Sequence, residues 1–103
     1  MSDRELADRV VALGVGKKLD ELYYSWGQQS DKFVRDWRVA GALMEKVPEG
    51  FLIWQQKYPD LAGMKVQPVW VVEGQTDNID ARNDSLPRAI IEACCDALEN
   101  HNA

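Results

Sequence analysis

The sequence predicts an α+β fold in which a small, largely antiparallel sheet of about three strands lies between layers of helices, an α/β/α sandwich. Three stretches, 3–13, 31–46 and 85–99, have apolar residues at helical spacing and predict three main helices. Two short blocks, 51–54 and 69–72, are apolar at every position. Because neighbouring side chains of a strand point to opposite faces, these blocks need burial on both faces. We therefore expect helices to cover both faces of the sheet.

The first helix has clear end signals. Ser2 followed three residues later by Glu5 is a capping box, in which the two side chains satisfy backbone N–H groups at the helix start. Gly14 and Gly16 are expected to end the helix, because glycine readily adopts the left-handed conformation found at helix ends.

The next segment, residues 17–29, is compatible with a further helical turn or with a short strand. Tyr23 and Tyr24 are of a residue type enriched in strands, and we favour a strand through them. Trp26 and Gly27 predict a turn after it.

The second main helix starts near Ser30, a favourable N-cap residue. One apolar stripe then covers three turns, formed by Phe33, Trp37, Ala40 and Met44. Gly41 costs ~1 kcal/mol relative to alanine inside a helix, which indicates that another element approaches closely there. Trp37, Trp54 and Trp70 belong to apolar patterns and are expected in the core.

The last helix is expected to start at Asp84 or Ser85 as the cap, with Pro87 accommodated in its first turn. Pro68 precedes the second apolar block and cannot donate to a strand ladder. That end of the strand should therefore lie at an edge or a bulge.

Length and charge restrict the class of protein. With 103 residues, the chain has room for one core, and we expect a single domain over 1–103. Seventeen acidic residues against twelve basic ones give a net charge of −5, and the basic residues are scattered. Direct nucleic-acid binding is not expected, because it normally requires a clustered basic face. An acidic surface instead attracts a basic partner.

The sequence also predicts a chain that stays in a reducing cytoplasm and does not bind membranes. No apolar run reaches the ~20 residues of a membrane span, and the N-terminal residues lack the apolar core of a signal peptide. Cys94 and Cys95 are adjacent, which is unsuited to an ordinary loop-closing disulfide.

Two stretches carry a resemblance to a known family. Residues 33–45 (FVRDWRVAGALME) and 83–93 (NDSLPRAIIEA) resemble the two helices of the bacteriophage ABA sandwich domain family, small proteins of tailed phages and prophages. The resemblance covers about residues 5 to 99 and departs in 17–29 and 46–75. It implies the layered fold, a phage origin and hence the cytoplasm of a bacterial host cell, but it implies no biochemical activity and no catalytic residues.

Candidate catalytic and metal-binding residues are sparse, and we expect neither an enzyme nor a cofactor. The two cysteines fall late in a helix, away from the positive end that lowers a thiol pKa, so a packing role is favoured. His101 has no partner at ligand or triad spacing and is expected in a frayed tail. Asp77, Asp80 and Asp84 lack the pattern of a calcium loop.

Partner contact is predicted at two places. Tyr23, Tyr24 and Trp26 form an aromatic cluster that could anchor a protein partner, and Asp77 and Asp80 could steer a basic one. Packing of the aromatic cluster over the sheet edge is the competing interpretation.

The charged residues of the family-like stretches, Arg35, Asp36, Arg38 and Arg88, also have two interpretations. They could form a docking surface. Alternatively, they form a solvated face with salt bridges that tie the two helices together.

These observations lead to three classes of function. The first is a non-enzymatic phage or prophage accessory protein that acts by contact with a host or phage protein. Its sharper form is an inhibitor or modulator of a host defence system. The second is a phage structural or assembly component. The third is a small-ligand binder or an enzyme with an unrecognised site.

Overall fold

Three strands form one antiparallel sheet with the order β1–β2–β3 in the computed structural model, which describes residues 1–47, 50–56, 68–74 and 79–101. The strands are β1 (Phe51–Gln56), β2 (Val69–Gly74) and β3 (Asp80–Asn83). The helices are α1 (Asp3–Ala12), α2 (Lys17–Ser25), α3 (Ser30–Phe33), α4 (Trp37–Lys46) and α5 (Leu86–His101). The predicted α+β class with a small antiparallel sheet is confirmed.

The register of the strands defines two faces of the sheet. Ile53, Val72 and Ala81 lie side by side on one face, and α5 packs against β2 and β3. Val72 and Ala81 belong to the same buried cluster as the apolar residues of α5. On the other face, Val71 lies between Trp54 and Arg82.

The apolar blocks behave differently in the two longer strands. Val71 and Val72 are both fully buried, as the prediction of burial on both faces requires. In β1, however, Leu52, Ile53 and Trp54 are exposed, so the same prediction is wrong for this strand. The physical difference is position, because β2 lies in the middle of the sheet and β1 lies at its edge.

The main core lies between the helices and the α5 face of the sheet. α5 packs against α1 and α4, and α1 also packs against α3. The largest fully buried side chains come from all these elements and include Leu6, Val10, Phe33, Leu43, Ile91 and Cys94. Each aliphatic or aromatic side chain of this kind contributes roughly 1.5–3 kcal/mol when removed from water.

The ends of the first and last helices agree with the sequence prediction. Ser2 Oγ accepts a hydrogen bond from Glu5 N at 3.1 Å at the start of α1. Of the two candidate caps for α5, Ser85 is the one whose Oγ accepts from the backbone, at 3.4 Å from Arg88 N. Because both caps satisfy N–H groups that would otherwise lack partners, they define where these helices begin.

The predicted continuous helix over 31–46 is interrupted. The short α3 ends at Phe33, and α4 begins after Asp36, which has extended backbone and accepts a hydrogen bond from Arg38 N at 2.7 Å. The interruption changes the helical phase, so the predicted stripe is split. Phe33 and Ala40 are buried, whereas Trp37 and Met44 are exposed. The prediction that Trp37 lies in the core is therefore wrong.

Three further expectations are corrected. Tyr23 and Tyr24 lie in the helix α2 and not in a strand. Gly41 lies on an exposed part of α4, and no other element within the described residues comes within 4 Å of the position that a Cβ would occupy. Trp54 is exposed at the edge strand rather than placed in the core.

A buried arginine connects three parts of the helical layer. Arg88, in the first turn of α5, is only 7% exposed. Its Nε donates to Asp3 Oδ1 at 2.8 Å, and its Nη2 donates to the carbonyl of Met1 at 2.7 Å. The other carboxylate oxygen of Asp3 accepts from Arg35 Nη1 at 2.7 Å, between α3 and α4. The carboxylate of Asp3 therefore links α1 both to α5 and to the segment between α3 and α4.

A second charged cluster holds the far ends of α1 and α5 together. Arg9 Nη2 lies 2.6 Å from Asp96 Oδ1 and 2.7 Å from Glu99 Oε2. The hydrogen bond from Arg9 is the main cause that lowers the pKa of Glu99 below its ordinary value. The two helices are thus joined by charge-assisted bonds at both ends.

The cap at Asp36 predicts a defined loss of stability. We expect Asp36→Ala to lower the free energy of unfolding by about 1 kcal/mol, because α4 loses the acceptor for its first backbone N–H groups. Denaturant unfolding followed by circular dichroism measures this difference. Asp8→Ala removes an exposed aspartate from α1 and serves as the matched control, with an expected change within about 0.5 kcal/mol. Equal effects of the two substitutions would contradict the role of Asp36 as a cap.

Candidate protein-binding surface

The three aromatic residues predicted for partner contact have different environments. Tyr23 is buried, and its ring packs against Phe33 with 4.8 Å between the ring centroids. Tyr24, one residue on, is 59% exposed. Trp26 is half-buried against the core at the end of α2. The aromatic cluster at the end of α2 therefore combines the buried ring of Tyr23, the exposed ring of Tyr24 and the half-buried ring of Trp26.

The chain turns sharply after these residues. Gly27 and Gln28 both have φ of 62°, in the left-handed region that glycine adopts freely and other residues rarely adopt. The turn is closed by a backbone hydrogen bond of 3.1 Å from Gln28 N to the carbonyl of Tyr23. This turn brings the chain back into α3 and positions the Trp26 ring.

Trp26 connects α2 to the start of α4. The guanidinium carbon of Arg38 lies 5.3 Å from the centroid of the Trp26 ring, a cation–π distance. Arg38 is oriented by Asp36, with Nε–Oδ1 and Nη2–Oδ2 distances of 3.1 and 3.0 Å. Trp37, the first residue of α4, is 59% exposed. We call Tyr24, Trp26, Trp37 and Arg38 the aromatic corner.

Of the two aspartates predicted to steer a basic partner, the structure describes Asp80. Asp77 lies outside the described residues. Asp80 is exposed on β3 and forms an ion pair with Arg82, with Oδ1 3.2 Å from Arg82 Nε. Since α2 packs against α3, whereas β3 packs against β2 and α5, Asp80 and the tyrosines of α2 lie on elements of different layers.

Trp37 is a surface residue that the sequence interpretation missed. The stripe through Phe33 and Trp37 was one of two that the sequence offers, and the alternative runs through Val39, Leu43 and Val47. The structure buries the alternative stripe. The available signal was Asp36, because an aspartate directly before an apolar helical segment is a good N-cap and marks a new helix start.

The charged residues of the family-like stretches mainly hold the fold together. Arg35 and Arg88 both bind Asp3, so the ion pairs of the two stretches meet at the first turn of α1, beside the direct packing of α4 against α5. Asp36 and Arg38 form an ion pair at the aromatic corner. Arg38 is thus the member of this set that also contributes to a candidate contact surface.

The cysteines have the environment of packing residues. Cys94 and Cys95 are both fully buried in α5. Burial raises the pKa of each thiol to about 12, which disfavours the thiolate required of a nucleophile or a metal ligand.

Neither a cluster of metal-ligating side chains nor a membrane-spanning helix occurs within the described ranges. No group of three or more His, Cys, Asp and Glu side chains that could hold a metal ion occurs there. Of the residues named as possible ligands, Asp80 binds Arg82, Asp77 is outside the described residues, and so is the side chain of His101. None of the described helices combines the length and apolarity needed to cross a membrane.

Comparison with known proteins gives no relative for this chain: no family model, no curated protein and no solved structure matches it.

The burial of the cysteines gives a testable expectation. We expect native protein at neutral pH to resist a maleimide reagent, because the thiols are inaccessible and protonated, whereas denatured protein should react at both positions. Mass spectrometry of the labelled protein counts the adducts. Rapid labelling of folded protein would contradict the packing role.

Proposed function

We propose that this protein acts without catalysis, by contact with a host or phage protein, through the aromatic corner. The observation that carries the proposal is the exposure of Trp37 and Tyr24, each 59% exposed on a helix whose opposite side contributes buried residues to the core. Tryptophan and tyrosine are over-represented among the residues that dominate interface energies. Exposing them to water is unfavourable unless a partner covers them.

The charge of the chain favours a basic partner. At a net charge of −5, the protein attracts a positively charged surface and accelerates its association at low ionic strength. The aromatic side chains would then supply the short-range binding energy. Arg38 is already neutralised by Asp36, so it does not oppose a basic partner as an unpaired charge would.

The resemblance of residues 33–45 and 83–93 to the bacteriophage ABA sandwich family supports a phage or prophage accessory role for such contact. The α+β fold with a small antiparallel sheet is compatible with that family. In the sharper form of the proposal, the partner belongs to a host defence system, and binding inhibits or modulates it in the bacterial cytoplasm.

The test compares partner binding by the native protein and by Trp37→Ala. We expect the substitution to weaken binding by about 2 kcal/mol or more, roughly 30-fold in Kd, while the thermal unfolding temperature changes little. Partners are first collected with tagged protein from infected host cells, and the interaction is then measured between purified proteins by surface capture. Tyr24→Ala should weaken binding in the same direction.

Two further variants make this test specific. Trp37→Phe keeps an aromatic ring and should retain most of the affinity. Arg4→Ala changes an exposed residue of α1 and should leave binding unchanged. If Trp37→Ala and Arg4→Ala bind the purified partner equally well, the aromatic corner is not the contact surface. Incorporation of the protein into purified phage particles would instead favour a structural or assembly component.

A further inference from the structure

The outward face of α4 is a helix face that the rest of the described chain does not cover. Trp37 is 59% exposed and Met44 is 41% exposed. Gly41, which lies between them, is also exposed, and no other described element comes within 4 Å of the position that its Cβ would occupy. The face is therefore open to a partner at all three positions.

Gly41 is an unusual residue for the centre of such a face. A glycine inside a helix is destabilising relative to alanine, so it is typical of positions where another backbone approaches closely. None of the described elements of this chain makes that approach to Gly41. The glycine therefore fits the approach of a helix that belongs to another molecule.

The four side chains around Gly41 are placed symmetrically, three and four residues to either side of it: Trp37, Arg38, Met44 and Glu45. Residues seven apart lie almost directly above each other, because two turns of an α-helix contain about 7.2 residues. Trp37 and Met44 therefore form an apolar edge of the face. Arg38 and Glu45, which are also seven apart, form a charged edge with opposite signs at its two ends.

We propose that α4 pairs antiparallel with α4 of a second copy of this chain, across a two-fold axis that passes between the two Gly41 residues. The axis reverses the direction of the helix and brings each edge of the face against the same edge of the second copy. Trp37 then lies against Met44 of the second copy. Arg38 lies against Glu45 of the second copy.

This complementarity selects a second copy as the occupant. Each of the two contacts occurs twice, because a two-fold interface uses the same patch on both copies. The contact of Trp37 with Met44 joins a ring to a thioether sulfur, which is favourable, and the contact of Arg38 with Glu45 joins opposite charges. A parallel pair would instead place each charged residue opposite its own copy, so the charges favour the antiparallel arrangement.

The two charged groups are available for this ion pair. The exposed side chain of Glu45 forms no hydrogen bond or ion pair with another described residue. Arg38 binds Asp36 through Nε and Nη2, which leaves Nη1 for a second carboxylate. The guanidinium is also held over the ring of Trp26. Association can therefore form a new ion pair without breaking an existing one.

One pair of helices makes a small interface. It buries less than the ~800 Å² per partner of a standard interface, so we expect a reversible dimer with micromolar affinity. Because the dimer would cover Trp37, a second copy and a host or phage protein would compete for this side chain. That consequence rests on the proposed function, whereas the pairing itself does not.

The first test fills the space at Gly41. The native protein should show a concentration-dependent dimer in sedimentation equilibrium, and Gly41→Gln should weaken it at least about tenfold, because the two added side chains hold the helices apart. The same substitution should raise the unfolding temperature of the dilute monomer by a few degrees, since glutamine is a better helix former and has open space here. Lys46→Gln, at an exposed position of α4 outside the face, is the matched control and should leave the dimer unchanged.

The second test changes the charge that faces Arg38. Glu45→Lys should dimerise at least about tenfold more weakly than the native protein, because two like-charge contacts replace two ion pairs. Asp8→Lys makes the same change in net charge at an exposed position of α1 and should not weaken the dimer. A difference between the two variants therefore reports the local contact and not the overall repulsion between acidic copies.

Three results would overturn the proposal. The native protein could remain monomeric up to millimolar concentrations, Gly41→Gln could dimerise like the native protein, or Glu45→Lys could dimerise like Asp8→Lys. All three are measured on the purified chain without a partner. Tyr24→Ala, on α2 and outside the paired face, should weaken partner binding and leave the dimer unchanged, so a failure of the dimer and a failure of the proposed function can be distinguished.

Discussion

The ionic contact between Arg88 and Asp3 is the interaction on which the arrangement of the helices depends. A guanidinium buried in the first turn of α5 is unfavourable on two counts, because it has lost water and because it lies near the positive end of the helix dipole. Asp3 compensates for both, and its second oxygen binds Arg35. The same carboxylate lies in the first turn of α1, where negative charge is favoured. Because α5 also packs against β2 and β3, the contact that fixes α5 relative to α1 also fixes the position of the sheet relative to the helices.

Local signals predicted the elements whose ends are marked by short-range chemistry. The capping residues Ser2 and Ser85 can be recognised from sequence, because a cap acts over three residues. The interruption at Asp36 was missed because an apolar stripe crosses it without a break. In α2, the two tyrosines have strand propensity, yet burial of Tyr23 against Phe33 stabilises a helix there. Tertiary packing overrides a weak local preference in such a segment.

The sheet shows a different limit of sequence interpretation. A block of apolar residues predicts a strand, but it does not predict whether that strand is central or at an edge, because strand order depends on contacts between distant parts of the chain. β1 and β2 each contain a block of four apolar residues, yet most of the block is exposed in β1 and half-buried or buried in β2 for this reason. The residues of the aromatic corner also differ in how far local sequence predicts their exposure. Tyr24 was predicted from local composition, whereas the exposure of Trp37 depends on the helical phase after Asp36.

A double-mutant cycle between Arg88 and Asp3 tests the central role of their contact most directly. The free energy of unfolding is measured for the native protein, Arg88→Met, Asp3→Asn and the double variant. Partial burial raises the pKa of Asp3, but hydrogen bonds from Arg35 and Arg88 outweigh it, and the resulting pKa lies below the ordinary value of 3.8. The stability that comes from ionised Asp3 is therefore fully present above pH 3.8 and is lost as the pH falls through the lowered pKa. We expect a coupling energy of about 1–3 kcal/mol at neutral pH that disappears in strong acid. Additive effects at neutral pH, or a coupling that persists after Asp3 is protonated, would contradict this account.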